Sequence, residues 1–189
     1  CFELANHGTL LLDEIAERKR IEQQLEELSQ TDYLTGILNR RAITSQLEKA
    51  ASQARSDEDS FCIILLDLDH FKEINDSFGH DVGDQTLKHA VDRLYHCIRE
   101  SDLLGRWGGE EFLIMLPNTR LEEAEGLARR LCQSLSGSRV ETGGKTVGVT
   151  GSFGVSRFIV GEHLDACLKR TDDALYAAKA GGRDCIVVH

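Results

Sequence analysis

Two stretches carry residues that could do chemistry together. In the first, Arg106-Trp107 is followed by Gly108-Gly109, then by the carboxylates Glu110 and Glu111, then by Phe112-Leu113-Ile114-Met115-Leu116. Apolar runs of strand length on either side of Gly-Gly predict a β-hairpin with a two-residue turn. Such a turn needs positive φ at its centre, which glycine adopts readily, and a glycine pair leaves the backbone open to a ligand. Neighbouring strand residues point to opposite faces, so an ideal strand turns only one of Glu110 and Glu111 toward a site. Distortion beside the turn would let both converge. An exposed hairpin with two solvated glutamates fits the same residues.

The second stretch lies upstream. Phe61-Cys62-Ile63-Ile64-Leu65-Leu66 is a continuous apolar run, the pattern of a fully buried strand, and it ends in Asp67-Leu68-Asp69-His70-Phe71-Lys72. Asp67 and Asp69, two residues apart, share one face of a strand. Carboxylates at the end of a buried strand are costly unless something pairs with them. A hard cation with oxygen ligands is the natural partner, and magnesium usually arrives with substrate phosphates. Two carboxylate clusters on two core strands thus point to metal-dependent phosphoryl or nucleotidyl transfer. An aspartate capping the next helix is the plainer alternative for Asp67 and Asp69.

Composition narrows the class. A net charge of -10, from 22 basic and 32 acidic residues, argues against a binder of nucleic-acid polymers. It leaves room for a nucleotide held by a local set of Lys and Arg with magnesium. Six cysteines show no C-x-x-C spacing and read as reduced thiols of a cytoplasmic protein. No signal peptide and no apolar run of membrane-spanning length occurs. A start at Cys1 rather than Met marks the chain as an expected piece of a longer protein, whose missing upstream part would be free to attach it to a membrane.

The elements that must position these residues follow in order. Residues 1–30 are expected to form a linker, with a helix from Leu10 to Gln30. A heptad fits it, with Leu11, Arg18 and Leu25 at a and Glu14, Ile21 and Leu28 at d. That seam predicts a weak parallel coiled coil or a single amphipathic helix. Asp13 to Arg20 resembles the exit helix behind bacterial PAS sensor domains. Residues 31–189 then form one domain. Thr31 or Asp32 caps, Gly36 turns, and a helix runs from Asn39 to about Arg55. After the buried strand, Phe71, Ile74 and Phe78 mark a packed turn or short helix. A loop from Gly79 to Asp84 feeds a helix to Arg99, with Asn75 and Asp84 bracketing the loop. An amide and a carboxylate there suit the edge of a purine, or a turn and an N-cap. Helices are expected over Leu121–Leu135 and Leu164–Ala180, a loose connection over Ser136–Lys145, and strands over Thr146–Phe158 and Asp184–Val188. This is an α/β (α+β) chain with a ferredoxin-type β-α-β-β-α-β order: a mixed, largely antiparallel sheet flanked by helices.

At this point the residues resemble the GGDEF-type diguanylate cyclase domains. The resemblance covers about residues 30–189 and rests on several separated motifs. They are Gly108-Gly109-Glu110-Glu111-Phe112, Asp32-x-Leu34-Thr35-Gly36, Asp67-Leu68-Asp69-His70-Phe71-Lys72, Asn75-Asp76, Phe78-Gly79-His80, Gly83-Asp84, Ala174-Leu175-Tyr176-Ala177-Ala178-Lys179 and Gly182-Arg183. It implies a palm-like fold and the condensation of two GTP into cyclic di-GMP with release of two pyrophosphates, by a homodimer downstream of a sensor domain. It implies Mg2+ (or Mn2+) held by Asp67, Glu111 and the Leu68 carbonyl, with Glu110 as catalytic base and further metal contact. Lys72, Lys179 and Arg183 would hold the triphosphate, Asn75 and Asp84 would read guanine beside Phe71, and Gly108 and Gly109 would admit the nucleotide. Arg99-x-x-Asp102, with Arg130, resembles the family's inhibitory product site; an ordinary surface Arg-Asp pair is the alternative. The rival function is a silent module that binds GTP or cyclic di-GMP and regulates a partner. Its usual marks, a damaged signature or lost phosphate ligands, are missing from this sequence.

Overall fold

The computed structural model describes residues 30–56, 59–142 and 145–189. The linker helix and coiled-coil seam expected upstream of Gln30 lie outside the described residues. The unit from Thr31 to His189 contains α1 (Arg40–Gln53), β1 (Phe61–Leu68), α2 (Phe71–Phe78), α3 (His80–Tyr95), β2 (Leu103–Arg106) and β3 (Glu111–Pro117). It continues with α4 (Leu121–Ser136), β4 (Arg139–Thr142), β5 (Lys145–Gly148), β6 (Gly151–Arg157), α5 (Leu164–Ala180) and β7 (Ile186–Val188).

Five strands form one mixed sheet in the order β2-β3-β1-β6-β7. The buried run β1 lies at its centre, antiparallel to β3 and β6, while β7 joins β6 in parallel. The fold is α+β, a mixed sheet with helices on both faces. Strand alternation divides the core. Cys62, Ile64 and Leu66 pack with Leu87 and Leu94 of α3 and Leu131 of α4. Phe61, Ile63 and Leu65 pack with Ile43 and Leu47 of α1 and Cys167 and Leu175 of α5. That parity carries Asp67 to the α5 side.

Helix starts follow local chemistry. Asn39 Oδ1 accepts from the Ala42 amide and caps α1. Asp32 caps no helix: its Oδ1 accepts from the Thr35 amide and hydroxyl at 2.9 and 2.6 Å, closing a turn that Gly36 completes at φ 74. Beyond the turn, Leu38 covers the edge of β2. Its amide donates to the Leu104 carbonyl at 3.2 Å, and its carbonyl accepts from the Arg106 amide at 2.8 Å.

Three expectations are corrected. The loop expected from Gly79 to Asp84 is the first turn of α3, which begins at His80 and ends at Tyr95. Gly79, at φ 89, both ends α2 and starts α3. The connection expected over Ser136–Lys145 contains β4, paired with β5, because Val140 and Val147 face each other across that ladder and are both buried. The single strand expected over Thr146–Phe158 is two strands, β5 and β6. Its alternating apolar residues Val147, Val149, Phe153 and Val155 are nevertheless all buried. The five described cysteines are free thiols, and burial pushes that of Cys62 up to about 12. No described helix is long and apolar enough to cross a membrane.

Helix α5 lies almost in contact with the sheet backbone. A Cβ on Gly154 of β6 would stand 2.3 Å from the Thr171 carbonyl oxygen and 2.4 Å from the Leu175 amide nitrogen. Main-chain atoms cannot swing aside, so Gly154→Ala must push α5 off the sheet. Overpacking of this kind costs about 1–3 kcal/mol. The expected result is a Tm lowered by roughly 2–12 °C in a thermal melt at neutral pH.

Candidate active site

Strand register builds the centre of the site. β1 and β3 pair so that Asp67 stands directly opposite Glu111. Both follow the parity of the α5-facing residues, Leu65 on β1 and Leu113 on β3. Like charges directly opposite one another destabilise a sheet. Lys179, in the last turn of α5, compensates in part, with Nζ 2.8 Å from Asp67 Oδ2. Burial nevertheless pushes the Asp67 carboxyl above its ordinary value, against the hydrogen bond and charge of Lys179. The Glu111 carboxyl is raised too, first by burial and then by the charge of Asp67. The protein alone therefore leaves this pair short of positive charge.

The pair fits a hard divalent cation. Two facing carboxylates place oxygen donors side by side at the end of β1. Among the described residues no group of three or more His, Cys, Asp or Glu is placed to hold a metal. Carboxylate pairs of this kind suit a hard cation that keeps other oxygen ligands.

The signature loop departs from the expected two-residue turn. β2 ends at Arg106 and β3 begins at Glu111, so residues 107–110 form the connection. The amides of Trp107 and Gly108 both donate to the Glu111 carbonyl, at 2.8 and 3.2 Å. Neither Gly108 nor Gly109 adopts positive φ, because the longer loop closes through this shared acceptor. At Gly108 the lack of a side chain serves space instead. A Cβ on Gly108 would lie 2.5 Å from Glu111 Oε2, while one on Gly109 would meet nothing within 4 Å. Glu110 precedes β3, half-buried, with its carbonyl accepting from the Leu68 amide at 3.2 Å. Strand alternation does not govern its side chain.

Arg106 anchors this loop, a role invisible in its sequence neighbourhood. Its Nε and Nη2 donate to the Gly109 carbonyl at 3.1 and 2.7 Å, and its Nη1 reaches Asp32 Oδ1 at 3.1 Å. Burial pushes the Asp32 carboxyl up, but the Thr35 hydrogen bonds and Arg106 outweigh it and hold the group below its ordinary value. Arg40 lies over the Trp107 ring, 4.6 Å from its centroid.

A second group forms where α2 meets α3. A Cβ on Gly83 would fall 1.9 Å from Asn75 Oδ1, so Gly83 makes room for the Asn75 amide. Asp84 lies within α3 and is exposed, rather than at a helix cap. Lys72 is exposed in the first turn of α2, and Phe71 is buried in the core beneath it. Arg183 is exposed beyond the end of α5, and its charge acts on Asp67. Asp69, expected to share a face with Asp67, lies beyond the end of β1 and turns inward, where Thr150, Ser152 and the Asp184 amide bind its carboxylate.

Arg99, Asp102 and Arg130 line one cavity away from these carboxylates, with Cys97, Thr119 and Glu123. They do not form a simple surface ion pair. Asp102 is buried, and its Oδ2 accepts from the Arg99 amide at 2.8 Å. Arg130 Nη2 donates to the Cys97 carbonyl at 3.4 Å.

Known proteins resemble this chain in sequence and fold. The family model described as "Diguanylate cyclase, GGDEF domain" matches residues 29–185, and the chain belongs to that family. It is 43% identical over 164 residues to the response regulator PleD of Caulobacter vibrioides, covering 85% of this chain and 36% of PleD. It is 39% identical over 177 residues to the diguanylate cyclase DgcM of Escherichia coli, covering 94% of this chain and 42% of DgcM. The crystal structure of the coiled coil and GGDEF domain of DgcB from Caulobacter crescentus, in complex with c-di-GMP, matches with a TM-score of 0.81 at 28% identity, covering 95% of this chain and 97% of that one. The chain thus spans about two-fifths of the length of PleD and DgcM.

The raised Glu111 carboxyl has a consequence for stability. A carboxyl raised on folding binds more protons in the native state, so its stabilising effect is full below the unfolded pKa and is lost as pH rises through the folded one. At neutral pH the charge of Glu111 therefore opposes folding. Without divalent cation, Glu111→Gln is expected to raise Tm at pH 7.5, with the gain shrinking as pH falls toward 4.5. Thermal melts across that range in a chelating buffer check it.

Proposed function

We propose that this chain is the catalytic domain of a diguanylate cyclase, joining two GTP molecules into cyclic di-GMP with release of two pyrophosphates. The observation that supports this most is the facing pair Asp67 and Glu111 with Lys179 beside it, in a member of the GGDEF family. Asp67, Glu111 and the Leu68 carbonyl would hold Mg2+ (or Mn2+), with Glu110 alongside. A bound ion would acidify the attacking 3′-hydroxyl and offset phosphate charge.

The protein's own groups do the remaining work by positioning and charge. Glu110 accepts the proton of the 3′-hydroxyl as its oxygen bonds to the α-phosphorus of the other nucleotide. The bond from that phosphorus to the bridging oxygen breaks, and pyrophosphate leaves. Lys179, which offsets Asp67 in the free chain, turns to the triphosphate together with Lys72 and Arg183. Asp84 accepts from the N1–H and 2-amino group of guanine, a donor pair that adenine lacks, and Asn75 joins it. Phe71 supports that edge from the core, and the open side of Gly109 admits the nucleotide.

One chain presents one nucleotide this way, so two chains must face each other. The homodimer and the upstream sensor domain belong to this reading, as does a cytoplasmic setting where GTP is available. Arg99, Asp102 and Arg130 would bind the phosphates and guanine edges of the product and restrain the reaction.

Incubation of the nucleotide-stripped chain with GTP and magnesium, followed by chromatography, tests the reading. Cyclic di-GMP is expected from the parent and none from Glu110→Ala. Lys179→Ala is expected to raise KM for GTP by about tenfold. Bound GTP without product at any protein concentration would instead mark a regulatory module. In the same assay, Arg99→Ala is expected to raise the product concentration needed for half-inhibition by about tenfold, the loss of one charge-assisted contact.

A further inference from the structure

Asp69 stands two residues beyond Asp67, yet its carboxylate does different work. It is 5% exposed. Thr150 Oγ1 donates to Oδ2 at 2.8 Å, Ser152 Oγ donates to Oδ1 at 2.6 Å, and the Asp184 amide donates to Oδ2 at 3.0 Å. The Asp69 amide in turn donates to the Thr150 carbonyl at 3.0 Å. All three groups that bind the carboxylate are neutral. A buried carboxylate held by neutral donors is a costly way to join segments, since apolar packing fills such space without desolvating a charge.

What these bonds hold is an unusual turn. Arg183 and Asp184 have φ of 65° and 44°, after Gly182 at 120°. L-residues avoid this left-handed region, and such backbone persists only where its surroundings hold it. Three contacts do so: the Arg183 amide to the Ala178 carbonyl at 3.2 Å, the Asp184 amide to Asp69, and Cys132 Sγ to Asp184 Oδ1 at 3.5 Å. Of these, only Asp69 ties the turn to the end of β1, where Asp67 stands. The Arg183 side chain leaves the turn exposed.

We infer that Asp69 is a positioning residue for nucleotide binding: by accepting the Asp184 amide it holds residues 182–184 in the form that presents the Arg183 guanidinium to the triphosphate. The inference rests on the GTP-binding reading above. Asp69 acts as an acceptor, and its charge is dispensable. Asparagine can serve in its place, with its oxygen toward the Asp184 amide and the Thr150 hydroxyl and its amide donating to Ser152 Oγ. Alanine supplies none of these bonds.

The test is equilibrium binding of a non-hydrolysable GTP analogue with magnesium, which needs no turnover. Asp69→Asn is expected to bind within about threefold of the parent, and Asp69→Ala about tenfold or more weakly. Combined with Arg183→Ala, Asp69→Ala is expected to add little to the loss caused by Arg183→Ala alone, the mark of two residues acting as one unit. A general loosening of the fold would instead weaken the Arg183→Ala chain further. Where Asp69→Ala does not fold, Asp69→Ser takes its place with the same expectations. Additive losses, or an Asp69→Asn chain that melts like the parent yet binds as poorly as Asp69→Ala, overturn the inference and leave the GTP reading standing. A parent chain that does not bind the analogue overturns both.

Discussion

The alignment of Asp67 against Glu111 is the constraint on which the rest of this structure depends. Two carboxylates opposite each other on adjacent central strands repel and are partly desolvated, and both are pushed toward the neutral form. A fold selected for stability alone would not place them there. The surrounding elements make the arrangement tolerable. Helix α5 brings Lys179 to Asp67, and the glycine at position 108 leaves room for the Glu111 carboxylate. The close approach of α5 to β6 at Gly154 keeps that helix against the sheet. The arrangement stores an affinity for positive charge, which a cation arriving with phosphates would satisfy.

The two halves of the site obey different structural rules. On β1 and β3, strand parity decides which side chains face α5, and a slip of one residue would turn Asp67 and Glu111 to the other face. At the junction of α2 and α3, contact between helices decides, and Gly83 is the residue that lets Asn75 fit. The guanine-reading role proposed for Asn75 and Asp84 therefore depends on helix packing, whereas the proposed metal role depends on sheet register.

Much of this was legible in the sequence, for physical reasons. The apolar run at 61–66 named the central strand because a strand buried on both faces carries no polar alternation. The helices α1, α4 and α5 were visible from their apolar stripes and flanking caps. The β4–β5 hairpin was hidden because Gly and Ser around it mimic a loop, while its pairing rests on a single buried valine from each strand. The start of α3 was hidden because glycine at 79 and 83 reads as a loop, although Gly83 is helical and there for clearance. In the site, strand-end carboxylates were recognisable by their cost. The roles of Arg106 and Asp69 were not, because they draw on partners far off in the sequence: Asp32, 74 residues from Arg106, and Thr150, Ser152 and Asp184 for Asp69.

Leu38 gives the domain a mechanical character. Its two hydrogen bonds close the open edge of β2, and a few residues earlier Asp32 grips Arg106. Any pull on the chain ahead of Thr31 is thus delivered to the same strand that leads into the signature loop. Leu38 also covers part of an edge strand, the kind of edge that exposed backbone groups open to pairing with another chain. The entry segment is thus both a handle on the loop and a guard against unwanted sheet extension.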